Sequence, residues 1–160
     1  MNKPTILVAN HIGLLDFIKI WVAFRGNIRF IAKSEHFAIP VLGWLFRAFG
    51  VISISRGKGD REAIKKALEI LKQGGTIGIF IEGKINRRNK QVTMPRNGAA
   101  MLAVASNARV IPVAINKWRA IFGQPLEFQE IPGVSHKELY LKINQQIITE
   151  INKILVFKRF

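Results

Sequence analysis

The chain has no cysteine. That excludes disulfides, thiolate metal sites and a cysteine nucleophile, and it fits a reducing compartment. Acids are scarce: 10 Asp and Glu face 25 Lys and Arg, a net charge of +15. A surface this cationic seeks a polyanion, either nucleic acid or an anionic membrane. Tyrosine occurs once, at Tyr140, and no interleaving of aromatic and basic residues suggests a base-stacking platform. No DNA- or RNA-binding motif accompanies the charge, which disfavours a nucleic-acid-binding domain. Long apolar runs are missing as well. The nearest, residues 39–54, is broken by Pro40, Gly43, Arg47 and Gly50, well short of the roughly 18 uninterrupted residues of a transmembrane helix. With no spanning segment, any membrane contact should be peripheral, and no secretory signal precedes the first apolar run. A Gly-x-Ser-x-Gly elbow is absent, which argues against a serine hydrolase. No metal-ligand spacing links the three His and the acids, so no metal is expected.

What is present suits one globular domain. The 160 residues are 49% apolar, enough for a sizeable core and too many for disorder. Strand and helix patterns alternate. Strands are expected at Thr5–Ala9 and at residues 28–32, 51–55, 76–81 and 110–115, with a further one at 125–128. Helices are expected at 15–24, 40–49, 61–73, Gly98–Ser106 and 135–157. Asp60 and Ser135 read as N-caps, and Glu62 and Lys66 stand in favourable i, i+4 order. Residues 33–36 read as a polar turn, and 85–95 as a basic loop. Pro112 inside an apolar strand suggests an edge or a bulge. The class is therefore α/β, a single domain with a largely parallel, mixed sheet flanked by helices. Residues 40–49 carry Trp44, Phe46 and Phe49 with Arg47 as their only charge. They read either as a core helix with a snorkelling Arg or as an interfacial helix that dips into lipid.

The chemistry-bearing stretch is Asn10-His11-Ile12-Gly13-Leu14-Leu15-Asp16, at a strand-to-helix junction. With three His and two Asp in the chain, a His-x4-Asp spacing arises by chance about 0.04 times, which makes it worth weighing as a motif. Mid-helix, five residues turn through about 500° and leave the two side chains roughly 140° apart. They can meet if His11 lies in the loop and Asp16 in the first helical turn, with Gly13 easing the bend. The pair is then a general base with its orienting carboxylate. The rival reading is a helix-capping Asp beside a His that bonds a loop carbonyl. Arg56 and Glu82 also follow predicted strands, where ligands of parallel sheets gather. Singly, each could be a solvated charge or an ion-pair partner. His36 and His136 read as surface or packing residues.

Taken in order, these stretches resemble the glycerolipid acyltransferases, typified by lysophosphatidic acid acyltransferase. Asn10-His11-x4-Asp16 looks like the family's first block, and Gly50 to Arg56 is similar to its second. Phe80-Ile81-Glu82-Gly83 resembles the third, usually Phe-Pro-Glu-Gly-Thr-Arg, and residues 110–115 resemble the fourth, an apolar strand around a Pro. Ala32-Lys33-Ser34-Glu35 and residues 39–44 also look like family sequence. The four blocks, at about 10–16, 50–56, 80–87 and 110–115, imply one acyltransferase domain over residues 1–160. In the third block Ile81 replaces Pro, Lys84 replaces Thr, and Ile85 stands where the family has Arg. Many members carry hydrophobic helices before the first block. A start so near that block suggests a peripheral or a truncated enzyme.

The resemblance implies that His11 is the base and Asp16 its partner. It implies that Arg56, with the Glu82-Gly83 loop, holds the acceptor's glycerol phosphate, with Lys84 or Arg87 in place of the missing Arg and Arg96 assisting. The acceptor would be a lysophospholipid, most simply lysophosphatidic acid. The donor would be an acyl-coenzyme A or acyl-carrier-protein thioester, with no bound cofactor. The expected partners are an anionic membrane surface, the lysolipid, the donor and, where it carries the acyl group, acyl carrier protein, at the cytoplasmic face of the membrane. Two rivals stay open: an inactive membrane scaffold of the same fold, and a basic nucleic-acid-binding domain.

Overall fold

The computed structural model of the protein describes residues 3–54, 59–86 and 91–157. Among the described residues six strands form one sheet: β1 (Thr5–Ala9), β2 (Ile28–Lys33), β3 (Ile52–Ile54), β4 (Thr76–Phe80), β5 (Arg109–Ile115) and β6 (Ala120–Phe122), in the order β3-β2-β4-β1-β5-β6. The first five are parallel, and β6 runs antiparallel to β5. The helices are α1 (Asp16–Phe24), α2 (Ser34–Phe37), α3 (Pro40–Ala48), α4 (Gly59–Lys72), α5 (Gly98–Ser106) and α6 (His136–Phe157). Central β1 is buried along its whole length, as the uninterrupted Thr5-Ile6-Leu7-Val8-Ala9 run requires of a strand covered on both faces.

Alternation along the strands divides the core in two. Ile6 and Val8 point to one face, where they pack with α4, α5 and α6; Leu7 and Ala9 point to the other, with α1 and α3. The connections explain this split. The chain moves from β1 through β2 to β3 in one direction across the sheet, then returns through β4 to β5. Right-handed crossovers must then place α1 to α3 on one face and α4 to α5 on the other. The carboxyl ends of neighbouring β1 and β4 thus feed helices on opposite faces, which opens a crevice between them.

Several local expectations change. Residues 33–36 are not a turn: a short helix, α2, begins at Ser34, because nothing in Ser-Glu-His-Phe breaks a helical turn. α4 begins at Gly59, so Asp60 lies inside it rather than at its cap, a shift of the size common at helix ends. Residues 125–128 form no strand. Pro125 lacks an amide donor, and only Leu126 bridges to Val110; the edge strand is β6 instead. Pro112 is not at an edge, since β5 lies between β1 and β6. It sits at a bulge: Val113 pairs with Phe122 and Val110 with Leu126, so the partner segment carries one extra residue. The proline's missing donor falls in this irregular stretch, while its carbonyl accepts from Gly123 N at 2.8 Å. The expected i, i+4 pair forms, Lys66 to Glu62 at 2.9 Å, and Ser135 Oγ accepts from Glu138 N at the start of α6.

One glycine shapes the path to the site. A Cβ on Gly78 would lie 2.3 Å from the Phe30 ring, so its absence lets that ring cross β4. Phe30 stacks on Phe80 at 5.9 Å, and Phe80 stacks on His11 at 3.9 Å with planes 15° apart. Gly78→Ala should therefore displace this aromatic column. Overpacking of this kind costs about 1–3 kcal/mol, a fall in Tm of roughly 2–10 °C for a chain this size. Thermal unfolding measures it; an unchanged Tm would show that the column relaxes freely.

Candidate active site

The junction after β1 is built from its own backbone amides. Asn10, buried, clamps the end of β5: its side chain donates to Ile115 O at 3.0 Å and accepts from Ile115 N at 2.6 Å. These bonds extend the β1–β5 pairing beyond the strand and fix the direction in which His11 leaves the sheet. His11 lies in the loop and Asp16 is the first residue of α1, an arrangement in which the two can touch. His11 Nδ1 and Asp16 Oδ2 are 3.1 Å apart.

Asp16 is 1% exposed, and an isolated carboxylate there would be costly. Four donors answer the charge. Oδ2 accepts from Ile12 N and Gly13 N, each at 2.7 Å, as well as from His11, and Oδ1 accepts from Lys19 Nζ at 3.1 Å. Burial works to raise the carboxyl's pKa. The bonds from His11, Gly13, Ile12 and Lys19 outweigh it and hold the group below its ordinary value. Asp16 is therefore an anion at neutral pH, an acceptor that favours the His11 tautomer with its proton on Nδ1. The Phe80 ring holds the imidazole on one side. Among the described residues, Nε2 makes no hydrogen bond.

Gly13 contributes differently from expectation. Its φ is not positive, so the bend itself does not demand glycine; its amide is the donor that matters. Lys19 is a partner of Asp16 that the sequence reading missed. It bonds both Asp16 and Asn116 O, the latter at 3.2 Å, and so ties α1 to the turn after β5. Its i, i+3 spacing from Asp16 was the available signal.

The third block meets His11 through the backbone. Ile81 N donates to Ala9 O at 2.9 Å, and Asn86 N donates to His11 O at 2.7 Å. Asn86 Nδ2 also donates to Glu82 Oε1 at 2.9 Å, which links the buried Glu82 to the His11 loop. Residues 81–84 turn rather than extend: Gly83 N donates to Phe80 O at 3.0 Å, and Gly83 has φ +62. Glu82 is buried and Lys84 exposed, so the two do not share a face as an extended chain would require. Arg96 comes to this turn instead. Its backbone N bonds Ile81 O at 2.8 Å, and its Cδ and Nε occupy the space a Cβ on Gly83 would need. Arg56 and Arg87 lie outside the described residues. His136 is exposed, 3.5 Å from Glu130, and stacks on Tyr140, and His36 is half-buried on α2. Among the described residues no three His, Asp or Glu side chains cluster as metal ligands would. No helix among them is long and apolar enough to cross a membrane.

Residues 1–116 match the model of the Acyltransferase family. The chain is 26% identical over 116 residues to a chloroplastic 1-acyl-sn-glycerol-3-phosphate acyltransferase of Arabidopsis thaliana, covering 71% of this chain and 32% of that protein. It is 32% identical over 125 residues to the 1-acyl-sn-glycerol-3-phosphate acyltransferase of Helicobacter pylori, covering 76% of this chain and 53% of that protein. The crystal structure of the 1-acyl-sn-glycerophosphate (LPA) acyltransferase PlsC from Thermotoga maritima superposes with a TM-score of 0.67 at 26% identity, over 100% of this chain and 69% of that one. The chain thus spans about a third to a half of the length of these curated relatives.

Proposed function

The chain belongs to the acyltransferase family, and from that premise we propose that it moves a fatty acyl group from an acyl thioester to the free hydroxyl of a lysophospholipid. The acceptor we favour is lysophosphatidic acid, which would become phosphatidic acid; the relatives named for 1-acyl-sn-glycerol-3-phosphate support that choice. The carrying observation is the His11–Asp16 bond, which turns His11 Nε2 into the basic nitrogen. Nε2 takes the hydroxyl proton as the oxygen attacks the thioester carbonyl. The tetrahedral intermediate then collapses, the carbon–sulfur bond breaks, and the imidazolium gives its proton to the leaving thiolate. The products are an ester and a free thiol of coenzyme A or acyl carrier protein. The thioester is already activated, so neither a covalent enzyme intermediate nor a bound cofactor is needed. The reaction takes place at the cytoplasmic face of an anionic membrane, with the protein bound peripherally.

The acceptor's phosphate is held by Lys84 and Arg96 at the Glu82-Gly83 turn; Arg56, which closes the family's second block, and Arg87, two residues past the family's missing Arg, are further candidates by sequence alone. A guanidinium can fork onto phosphate, and Arg96 stands just before α5, whose free amides favour anions. Lys84→Ala and Arg96→Ala should each raise the KM for a phosphorylated acceptor, with losses in kcat/KM of roughly ten- to a hundredfold. Wild-type kinetics in both variants would place the phosphate elsewhere. The whole reading is tested by offering one labelled acyl thioester with lysophosphatidic acid, glycerol phosphate and a phosphate-free lysolipid, and weighing the products. Labelled phosphatidic acid is expected; label transferred to none of the three would refute acyl transfer to a lysophospholipid.

A further inference from the structure

The protein has three tryptophans, and none is in the core. Trp21 is 41% exposed, Trp44 65% and Trp118 75%. All three lie on one side of the molecule. Trp21 is on α1 and Trp44 on α3, the two helices that cover one face of the sheet, and the Trp21 ring meets Phe49 at the end of α3, 4.9 Å between centroids. Trp118 stands in the turn before β6, the edge strand beside α1. That turn is tied to α1 by the Lys19–Asn116 bond, and β6 by the Phe24–Phe122 contact at 6.0 Å. Leu15, Val22 and Val41 are exposed on the same side. Large apolar side chains exposed together on neighbouring elements mark an interaction surface.

Its charge identifies what it meets. Arg25, Arg47, Lys117 and Arg119 are exposed there, and Lys117 Nζ lies 4.9 Å above the Trp118 ring. In residues 3–54 and 109–126 the only acids are Asp16, which is buried, and Glu35. The opposite side differs. Its helices carry acids as well as cations, several of them in ion pairs: Glu62 with Lys66 on α4, and Glu138 with Lys142 and Glu150 with Lys153 on α6. Exposed indole rings flanked by cations suit the interface of an anionic bilayer, where the ring sits at headgroup depth and the charge meets phosphate. A second copy suits the surface poorly, because a two-fold contact would set this cationic side against itself.

We propose that the side formed by α1, α3 and the 116–119 turn is a docking surface for an anionic lipid bilayer. Its tryptophans enter the interface and its cations contact the headgroups. His11 and Asp16 stand at the start of α1, on the rim of this surface, so a lysolipid reaches Nε2 without leaving the membrane. The inference rests on the lysolipid acyltransferase reading for its purpose, but its test is separate.

Intrinsic fluorescence reads this surface directly, since no tryptophan lies elsewhere. The probes are vesicles of phosphatidylcholine alone and of phosphatidylcholine with phosphatidylglycerol, both with brominated acyl chains. The mixed vesicles should bind the protein, shift its emission to the blue and quench it, and they should do so less at high salt. Three variants that keep one tryptophan each, the others replaced by Phe, should all be quenched. Trp44→Ser should weaken partitioning by roughly tenfold, the effect of withdrawing one aromatic side chain from an apolar phase. Binding without quenching would overturn the proposal, as would equal affinity for the two vesicle types. A blue shift on self-association in the absence of lipid, or tighter binding and shielding by an oligonucleotide, would overturn it too. If docking fails while a water-soluble short-chain lysolipid is still acylated, the docking surface falls and the activity stands. If docking holds and no acceptor is acylated, the reverse is true.

Discussion

Replacing His11 with alanine should lower acyl transfer by about 10²–10⁴-fold, the usual consequence of losing a general base, and leave the fold intact. The side chain is only partly buried and touches Phe80 and Asp16. The loop's ties to β4 and to residue 86 run through the backbone, which the substitution retains. Asp16 keeps its bonds from Ile12, Gly13 and Lys19. The loss should therefore appear in kcat, with the melting temperature close to that of the wild type. Steady-state kinetics beside a thermal melt distinguish the outcomes, and near-normal turnover by a folded variant would remove His11 from the chemistry.

Asp16→Asn should cost nearly as much activity, and it should also cost stability. The neutral amide no longer demands the Nδ1–H form of His11, so the base is offered in the wrong tautomer part of the time. Its stability effect has a defined pH window. The folded carboxyl titrates below the 3.8 of the free group, so the unfolded chain takes up this proton first as the pH falls. The stabilisation from Asp16 is thus fully present above pH 3.8 and is lost as the pH drops through the lower folded value. Denaturant unfolding of wild type and variant should show a constant gap near neutrality that narrows below about pH 4. A gap that widened in acid would mean that the folded carboxyl is not the stronger acid.

Where one face of an element had to be buried, the sequence was sufficient to locate it. Thr5–Ala9 and Gly98–Ser106 have the same bounds in both readings, because a strand apolar throughout and an Ala-rich helix closed by an αL residue leave no alternative packing. The His11–Asp16 contact was legible as a possibility because helical geometry excludes it mid-helix and permits it where a loop runs into the first helical turn. What escaped was set by tertiary partners. Lys19 reads as an ordinary surface lysine until Asn116 O, 97 residues away, is brought beside it. The column of Phe30, Phe80 and His11 draws on three separate segments. An extended chain would have set Lys84 beside Glu82 on one face; the turn at Gly83 parts them, since one positive φ changes which side chains share a face. β6 was missed because its three residues, Ala120–Phe122, are too short to show alternation, and their strand character comes from pairing with β5.

The most direct measurement is a double-mutant cycle. It compares kcat/KM for one acyl thioester and lysophosphatidic acid in the wild type, His11→Ala, Asp16→Asn and the double variant. If Asp16 acts only by holding His11 as a base, the double variant loses no more than His11→Ala alone, because without the imidazole there is nothing left to orient. Losses that multiply would show the two residues acting independently and would contradict the base-and-carboxylate pair.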